Sequence, residues 1–323
     1  MNAGQSGRGV RTGALVEVLR PGALSTVQDL GRPGHAHLGV PRSGALDRPA
    51  HLLANRLVGN PPGAATIETT VTGISVRVGR AGTVAVTGAW APVTVDGRPA
   101  GWSAPVAVPA GARVEVATAR RGLRSYLAFS GGIAVPAVLG SRATDLLSGL
   151  GPAPLAAGDR LPLGDVVGPP APVDVAPTAA LAEEVTLRLL LGPRADWFTD
   201  DAVRMLAAER YQVSTSSNRI GVRLAGPALP RRIGGELRSE GLVLGAVQVP
   251  AAGMPVIFLA DHPTMGGYPV IGVLHPDDLP LVAQAAPGHR VRFRMVHPPA
   301  LDAPPNGRAD DGDSGQLGPH QHQ

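Results

Sequence analysis

Short apolar runs separated by glycine or proline are the feature that most constrains the fold of this chain. Runs such as Ile74–Val78 and Met254–Ala260 have the length and composition of single buried strands. The 43 glycines and 33 prolines stand between such runs and form no periodic tract. Many short strands joined by Gly/Pro turns are typical of β architectures. The sequence therefore predicts a mainly β fold with a few short helices.

The chain is long enough for two domains, with 323 residues of which 44% are hydrophobic. A Pro/Ala-rich stretch that begins at Val166 is typical of a linker. We predict a disordered N-terminus (1–14), a first domain (15–165), a linker (166–185), a second domain (186–303) and a disordered tail (304–323). Strands are expected near Leu15–Leu19, Ile74–Val78, Thr83–Thr87, Arg113–Ala117, Ser125–Ser130, Thr186–Leu191, Leu242–Val249, Val256–Ala260 and Arg290–Val296.

Three short helices have readable ends. Asp47 is a good N-cap, with Pro49 in the first turn and Gly59 as the stop. Thr199 can cap a second helix, and a third opens at Pro276–Asp278 and ends at Gly288.

A faint internal repeat also supports two similar units. Asn55–Leu57 resembles Asn218–Ile220, and each triplet is followed by a glutamate, Glu68 or Glu240. A duplicated β unit would explain the similarity, and its two copies could face each other across a cleft.

Composition excludes several kinds of chemistry. The sequence contains no lysine, so this chain cannot carry biotinyl-lysine, a lysine Schiff base or a Walker lysine. It contains no cysteine, which excludes disulfides, thiolate zinc sites and a cysteine nucleophile. The net charge is only +4 with scattered arginines, which disfavours nucleic-acid binding. No apolar run approaches the roughly 20 residues of a membrane span, so we expect a cytoplasmic protein.

The first polar cluster is Gln28–Arg32, which offers an amide, a carboxylate and a guanidinium around Gly31. Such a set can bind a carboxylate or an amide substrate by bidentate contacts. It can equally form a turn in which Asp29 accepts bonds from local amides and pairs with Arg32. Spacing alone favours the turn.

The second polar cluster follows an apolar strand: Asp261, His262 and Thr264 precede a glycine pair and Tyr268. His262 can serve as a general base, because histidine titrates near neutral pH. Alternatively, Asp261 satisfies backbone donors at the strand end and His262 packs. Both interpretations stay open on the residues alone.

Other polar groups carry weaker signals. His35 and His37 could share a strand face, but no third ligand is spaced to join them, so we expect no metal site. Ser43, Asp47 and His51 include the residue types of a hydrolase triad without a nucleophile elbow.

Five separated segments together resemble one family, the biotin-dependent carboxyltransferase family. It includes the C subunit of 5-oxoprolinase, the KipA and allophanate hydrolase subunit 2 proteins, and the carboxyltransferase part of urea carboxylase. The segments are VQDLGRPGHAHLGVPRSGALD with LANRLVGN (27–60), YLAFSGGIAVPAVLGSRAT (126–144), SNRIGVRLAGP (217–227), SEGLVLGAVQVP (239–250) and LADHPTMGGYPVI (259–271).

The resemblance implies two similar cyclophilin-like β-barrel domains and a function within a complex. The implied activity is ATP-dependent cleavage of 5-oxoproline to glutamate, with this chain as the C subunit beside a KipI-like B subunit and an A subunit. ATP would bind in the complex, at a site that the sequence does not reveal. Two alternatives stay open: a carboxyltransferase acting on urea or a related amide with biotin on a separate carrier, and a KipA-like regulatory protein that binds a kinase inhibitor.

The resemblance and the two polar clusters together give a candidate site. We expect His262 or Asp261 to accept a proton, with Glu240 as a further catalytic group, and Arg32 or Arg219 to anchor an anion. Pro263 stands where many relatives carry glutamine, which puts a ligand contact from that position in doubt. The expected substrate-binding residues are Gln28, Asp29, Arg32, Asn55, Asn218, Arg219, Gln248, Thr264 and Tyr268.

Overall fold

A computed structural model of the protein describes residues 14–235 and 237–297. Strands dominate these residues and the helices are short, so the predicted mainly β class is confirmed. Residues 1–13 of the predicted disordered N-terminus, residues 298–303 of the predicted second domain and the predicted tail lie outside the described residues. The domain boundaries themselves stay a prediction.

The first half of the chain forms two antiparallel sheets that pack face to face. One has the strand order β11-β1-β4-β9-β6-β7 and the other β2-β3-β10-β5-β8. The strands are β1 (Leu15–Arg20), β2 (Leu24–Gln28), β3 (Thr66–Thr70), β4 (Ile74–Val78), β5 (Gly82–Trp90), β6 (Val93–Val95), β7 (Arg98–Ala100), β8 (Val106–Val108), β9 (Arg113–Val116), β10 (Arg121–Phe129) and β11 (Arg160–Pro162).

Alternation of side chains builds the core between these two sheets. Ile74, Val76 and Val78 of β4 are buried while Arg77 between them is exposed, as the two-residue period of a strand requires. They pack in one cluster with Ile67 and other apolar residues of the facing sheet. Burial of such side chains at about 25 cal/mol per Å² drives the sheets together.

The second half forms a closed barrel in the order β12-β19-β16-β17-β14-β13-β20, with β12 and β20 parallel. A two-stranded ribbon, β15 with β18, stands apart from it. The strands are β12 (Glu184–Leu191), β13 (Tyr211–Val213), β14 (Gly221–Ala225), β15 (Glu240–Gly241), β16 (Ala246–Gln248), β17 (Val256–Phe258), β18 (Met265–Gly266), β19 (Val270–Leu274) and β20 (Arg290–Val296).

Three α-helices occur in the described residues: α1 (Arg48–Leu57), α2 (Asp200–Ala208) and α3 (Leu279–Gln284). Both predicted caps are confirmed, because Asp47 accepts from the Ala50 amide at 3.0 Å and Thr199 from the Ala202 amide at 3.1 Å. The third helix ends at Gln284, before the predicted stop, after a 3₁₀ turn at Pro276–Asp278. No helix in residues 14–235 and 237–297 is long and apolar enough to cross a membrane.

The two halves are joined by residues 166–183, which form neither helix nor strand. The segment is held against the first half, since the Ala171 amide donates to Leu57 and the Ala176 amide to Ser103. Gly59 has φ +77°, and a Cβ there would lie 2.2 Å from the carbonyl oxygen of Pro169. Glycine is therefore required where this segment crosses the end of α1.

Candidate functional site

Asp261 is fully buried where β17 leads out of the barrel, and both of its carboxylate oxygens are occupied. Oδ1 accepts from Ser43 Oγ at 2.7 Å and from Arg219 Nη2 at 3.1 Å. Oδ2 accepts from Arg219 Nε at 3.0 Å and from the Leu146 amide at 3.2 Å. Two of these partners belong to the first half of the chain, so Asp261 joins the two halves.

Arg219 is also buried and bridges two carboxylates that come from different halves. Besides Asp261, its guanidinium binds Glu68 of β3 through Nη1 and the carbonyl oxygen of Gly44 through Nη2 at 2.7 Å. Burial alone would lower the pKa of Arg219, but the charges of Glu68 and Asp261 outweigh it and raise the pKa above its ordinary value. Arg219 is therefore permanently charged and fully engaged with protein groups.

Glu68 receives bonds from the rest of the junction. Its Oε2 accepts from Tyr126 Oη at 2.7 Å and from the Leu46 amide at 3.1 Å, and Arg124 Nε lies 3.8 Å from Oε1. Burial would raise the pKa of Glu68, but Arg219, Arg124 and these hydrogen bonds outweigh it and hold the pKa below its ordinary value. Glu68 is consequently ionised near neutral pH.

The same junction continues through Asp47 and Gln284. The Gln284 amide nitrogen donates to Asp47 Oδ2 at 2.7 Å, and its oxygen accepts from the Leu123 and Arg124 amides at 2.9 and 3.0 Å. Burial raises the pKa of Asp47. We call Ser43, Asp47, Glu68, Arg124, Tyr126, Arg219, Asp261 and Gln284 the junction network.

The cluster Gln28–Arg32 holds a loop of the first half. Asp29 accepts from Ser141 Oγ and the Arg142 amide, both at 2.6 Å, and from the Gly31 amide at 2.8 Å. Arg32 donates to the carbonyls of Val138 and Ala143. Gln28 donates to Thr26 Oγ1 and to the Thr144 carbonyl, both at 3.0 Å. All three side chains are buried. Asp29 accepts the expected local bond from the Gly31 amide, but the described residues show no pairing of Asp29 with Arg32, because the Arg32 guanidinium binds the Val138 and Ala143 carbonyls and lies beside Asp145 instead.

Two polar atoms of this cluster have no hydrogen-bond partner in the described residues. They are Gln28 Oε1 and Arg32 Nη1, and the latter lies 3.8 Å from Asp145 Oδ2. The loop meets the junction network at the Leu146 amide, which donates to Asp261. Gln28, Asp29 and Arg32 therefore hold the loop of the first half that contacts Asp261 through the Leu146 amide.

His262 follows Asp261 and is mostly buried beside Phe258, with 6.0 Å between the ring centres. Its Nδ1 lies 2.7 Å from the carbonyl oxygen of Pro263. A carbonyl only accepts, so Nδ1 carries the proton and a neutral ring presents Nε2 as an acceptor. Burial lowers the pKa of His262, although the Pro263 bond opposes the shift. The ring is therefore neutral at neutral pH and can take up a proton at Nε2.

The remaining predicted residues of the second half lie mainly at the β15–β18 ribbon. Arg194 binds Glu240 with Nε 3.0 Å from both carboxylate oxygens, and this bond lowers the pKa of Glu240. Gln248 donates to the Tyr268 carbonyl at 3.0 Å, and the Arg231 guanidinium lies 5.9 Å from the centre of the exposed Tyr268 ring. These five side chains form the ribbon cluster.

Three predicted residues have local structural contacts. Thr264 accepts from the Leu242 amide through its carbonyl at 2.9 Å, next to the ribbon. Asn218 is exposed, and its Oδ1 accepts from the Ile220 and Gly221 amides at 2.8 and 3.2 Å. Asn55 is buried in α1 and binds the Ala64 carbonyl and Asn60.

Several members of these clusters were absent from the predicted site. Glu68 carried a signal, because a lone carboxylate inside the β-branched strand Thr66–Thr70 requires a buried partner. Tyr126, Arg124, Gln284, Arg194 and Arg231 carried none, since their partners lie far away in sequence. The described residues contain no group of three or more His, Asp or Glu placed to hold a metal ion.

The family model for the carboxyltransferase domain, subdomain A and B, matches residues 38–295. The chain belongs to this family. The predicted resemblance is therefore confirmed at the level of the family, and the match includes the junction network and the ribbon cluster.

Similar proteins include the C subunit of 5-oxoprolinase and urea amidolyases. The chain is 37% identical over 284 residues to the C subunit of 5-oxoprolinase from Escherichia coli, a match that covers 86% of this chain and 90% of that protein. It is 34% identical over 307 residues to urea amidolyase of Lachancea kluyveri, covering 86% of this chain but only 17% of the relative. The structure of Kluyveromyces lactis urea amidolyase superimposes with a TM-score of 0.82 at 30% identity, over 88% of this chain and 19% of that one.

Proposed function

We propose that this chain is the C subunit of an ATP-dependent 5-oxoprolinase, which converts 5-oxoproline to glutamate. The observation that carries the proposal is the extent of the match to the C subunit of the E. coli enzyme, which spans 90% of that protein. The urea amidolyase match spans 17% of a much longer relative. Similarity along nearly the whole relative favours the same role more strongly than similarity to one segment of a large enzyme.

The proposed enzyme requires other chains and a nucleotide. The E. coli relative is named as a subunit, which implies a complex. We propose a KipI-like B subunit and an A subunit as the partners of this chain. ATP would activate the lactam amide in the complex, and this chain offers no lysine to bind its phosphates. The substrate would be a small lactam with one carboxylate.

His262 is the proton acceptor in this proposal. Its neutral ring exposes an unprotonated Nε2, as the Nδ1 bond to Pro263 implies. Asp261 is occupied by four donors and is buried, so its proposed role is to hold the strand end that carries His262. The backbone oxygen of Pro263 orients the His262 ring by accepting the bond from Nδ1.

The ribbon cluster supplies the proposed substrate contacts. Arg32 and Arg219, the two predicted anion anchors, are buried on protein groups. Arg231 is only partly buried beside the exposed Tyr268, so we transfer the anchoring of the substrate carboxylate to it. Gln248, predicted to bind the substrate, and Glu240, predicted as a catalytic group, are the proposed partners of the substrate amide, for which an amide donor and a carboxylate acceptor are suitable.

A second candidate is transfer of a carboxyl group from carboxybiotin to urea or a related amide. The TM-score of 0.82 to K. lactis urea amidolyase favours it. Because this chain has no lysine, biotin would have to be attached to a separate carrier.

The test is co-expression with the candidate B and A partners, followed by measurement of glutamate release from 5-oxoproline with and without ATP. The proposal requires ATP-dependent release that disappears when this chain is omitted. The variant His262→Gln should abolish release in an intact complex, whereas His37→Gln, at an exposed position, should not. A stable complex without glutamate release contradicts the proposal. Avidin-sensitive carboxylation of urea would then support the second candidate. Tight binding of a kinase inhibitor, without either enzymatic activity, would support a regulatory role.

A further inference from the structure

A cavity of about 760 Å³ lies between the two halves, on the α1 and α3 side of the junction network. Leu53 of α1, Leu181 of the connecting segment and Leu281 of α3 contribute apolar walls. Its volume falls in the range of about 300–1,000 Å³ that is typical of small-molecule sites. None of the residues assigned to the proposed reaction lines it.

Two tryptophans give the cavity flat aromatic surfaces. Trp90, at the end of β5, and Trp102 both line it, and Trp102 is held by a hydrogen bond from Nε1 to the Ala89 carbonyl at 3.2 Å. A tryptophan that is held in place offers a large apolar contact area at little entropic cost. The body of a matching ligand is therefore apolar and preferably planar.

The charges that line the cavity are unevenly distributed. Arg120 and Arg121 are exposed, and neither forms an ion pair with a carboxylate in the described residues. Arg120 lies over the Trp90 ring at 5.5 Å, and Arg121 opposes Trp90 in the strand register. Asp47 is the acidic residue that lines the cavity. It is buried, and its carboxylate is occupied by Gln284 and the Ala50 amide.

We propose that this cavity binds an amphipathic organic anion, with a planar apolar body against Trp90 and Trp102 and a carboxylate or phosphate on Arg120 and Arg121. The two adjacent guanidiniums at the solvent side match an anionic group, for which arginine provides charge-assisted bonds. The reverse orientation would place the anion at the buried end, beside the Asp47 carboxyl group and away from both arginines, where desolvation of its charge is unfavourable. The site is separate from His262 and from the ribbon cluster, so it adds a ligand to the proposed function.

The test uses two probes of similar size and shape, the anion 1-naphthaleneacetate and the neutral 1-naphthaleneacetamide, titrated into the full chain by calorimetry. The anion should bind at one site at least about tenfold more tightly than the amide, as expected for one charge-assisted contact. In the double variant Arg120→Gln/Arg121→Gln this preference should disappear. The matched control Arg77→Gln/Arg98→Gln removes two exposed arginines outside the cavity and should keep it.

Filling the cavity provides a second, charge-neutral test. Leu53→Trp should weaken both probes together, and circular dichroism should show the same secondary structure as the wild type. Equal affinity for the two probes, an unchanged preference in Arg120→Gln/Arg121→Gln, or no saturable binding of either probe overturns the proposal. These titrations need no partner subunit and no turnover, so their failure is distinguishable from failure of the proposed 5-oxoprolinase activity.

Discussion

Replacing Arg219 by methionine tests the junction network most directly. Methionine keeps much of the apolar volume and removes the charge that is shared by Glu68 and Asp261. Both carboxylates are fully buried, and water cannot replace the lost bonds without opening the interface between the halves. Removing one partner of a buried ion pair costs about 3–5 kcal/mol. Arg124 stays 3.8 Å from Glu68 and limits the loss, so we expect about 3 kcal/mol.

The loss should also depend on pH, with a sign that follows from Glu68. In the wild type the folded pKa of Glu68 is lowered, so its contribution to stability is present above the unfolded pKa and is lost as the pH falls through the folded pKa. Without Arg219, burial becomes the larger influence and raises the folded pKa, so Glu68 then opposes folding above its unfolded value of about 4.3. The difference between variant and wild type should be largest at neutral pH and shrink towards pH 4.

Urea unfolding of both proteins at several pH values measures this difference. Arg204→Met is the matched control, because its ion pair with Asp201 is exposed, and its unfolding midpoint should not move. The triple variant Arg219→Met/Glu68→Gln/Asp261→Asn should regain part of the loss, since neutral groups carry a smaller desolvation penalty. A loss below about 1 kcal/mol at neutral pH, or a loss that is equal at every pH, would refute the reasoning.

Three further predictions concern single groups. Tyr126→Phe removes the donor to Glu68 and the acceptor of the Asp47 amide, and should cost about 1–3 kcal/mol in urea unfolding; no change would show that water replaces the hydroxyl. In Gly59→Ala the alanine would have to adopt a positive φ and its Cβ would contact Pro169, so the variant should lower stability by about 1–3 kcal/mol. Gly63→Ala, where a Cβ would meet open space, is the control. Because burial lowers the pKa of His262, glutamate release should persist as the pH falls through 6.5 and decline only below it; a decline centred above that value would contradict His262 as the base.

The strands and helix starts were predictable because their causes are local. Ile74–Val78 and Arg290–Val296 were predicted with their observed bounds, since alternation and flanking turns lie within the segments themselves. Asp47 and Thr199 cap helices through amides three residues away. Leu242–Val249 was predicted too long, because Gly245 has φ +81° and the strand begins only at Ala246. Glycine adopts positive and negative φ about equally readily, so the sequence does not show which sign Gly245 takes.

The candidate site was only partly predictable, because its partners are distant in sequence. Asp261 and Arg219 were selected, but no local pattern places Glu68 against Arg219 or Ser43 against Asp261, at separations of 151 and 218 residues. The same limit applies to Arg194 with Glu240. Polar residues beside a strand end indicate that a site exists. Which of them face solvent and which hold the scaffold depends on packing between the halves, and that packing is decided by contacts between distant segments.

The charge balance of the junction network indicates what it contributes. Two of its carboxylates, Glu68 and Asp261, are matched by two guanidiniums, Arg124 and Arg219, so the charges of these four groups cancel, while the third carboxylate, Asp47, is held by Gln284 and the Ala50 amide. Such a group adds little net stability compared with an apolar interface, because desolvation offsets its attraction. It does, however, penalise every misaligned packing of the halves, since a shift would leave a buried charge without its partner. We infer that the network defines the relative placement of the halves, and with it the position of His262 directly after Asp261.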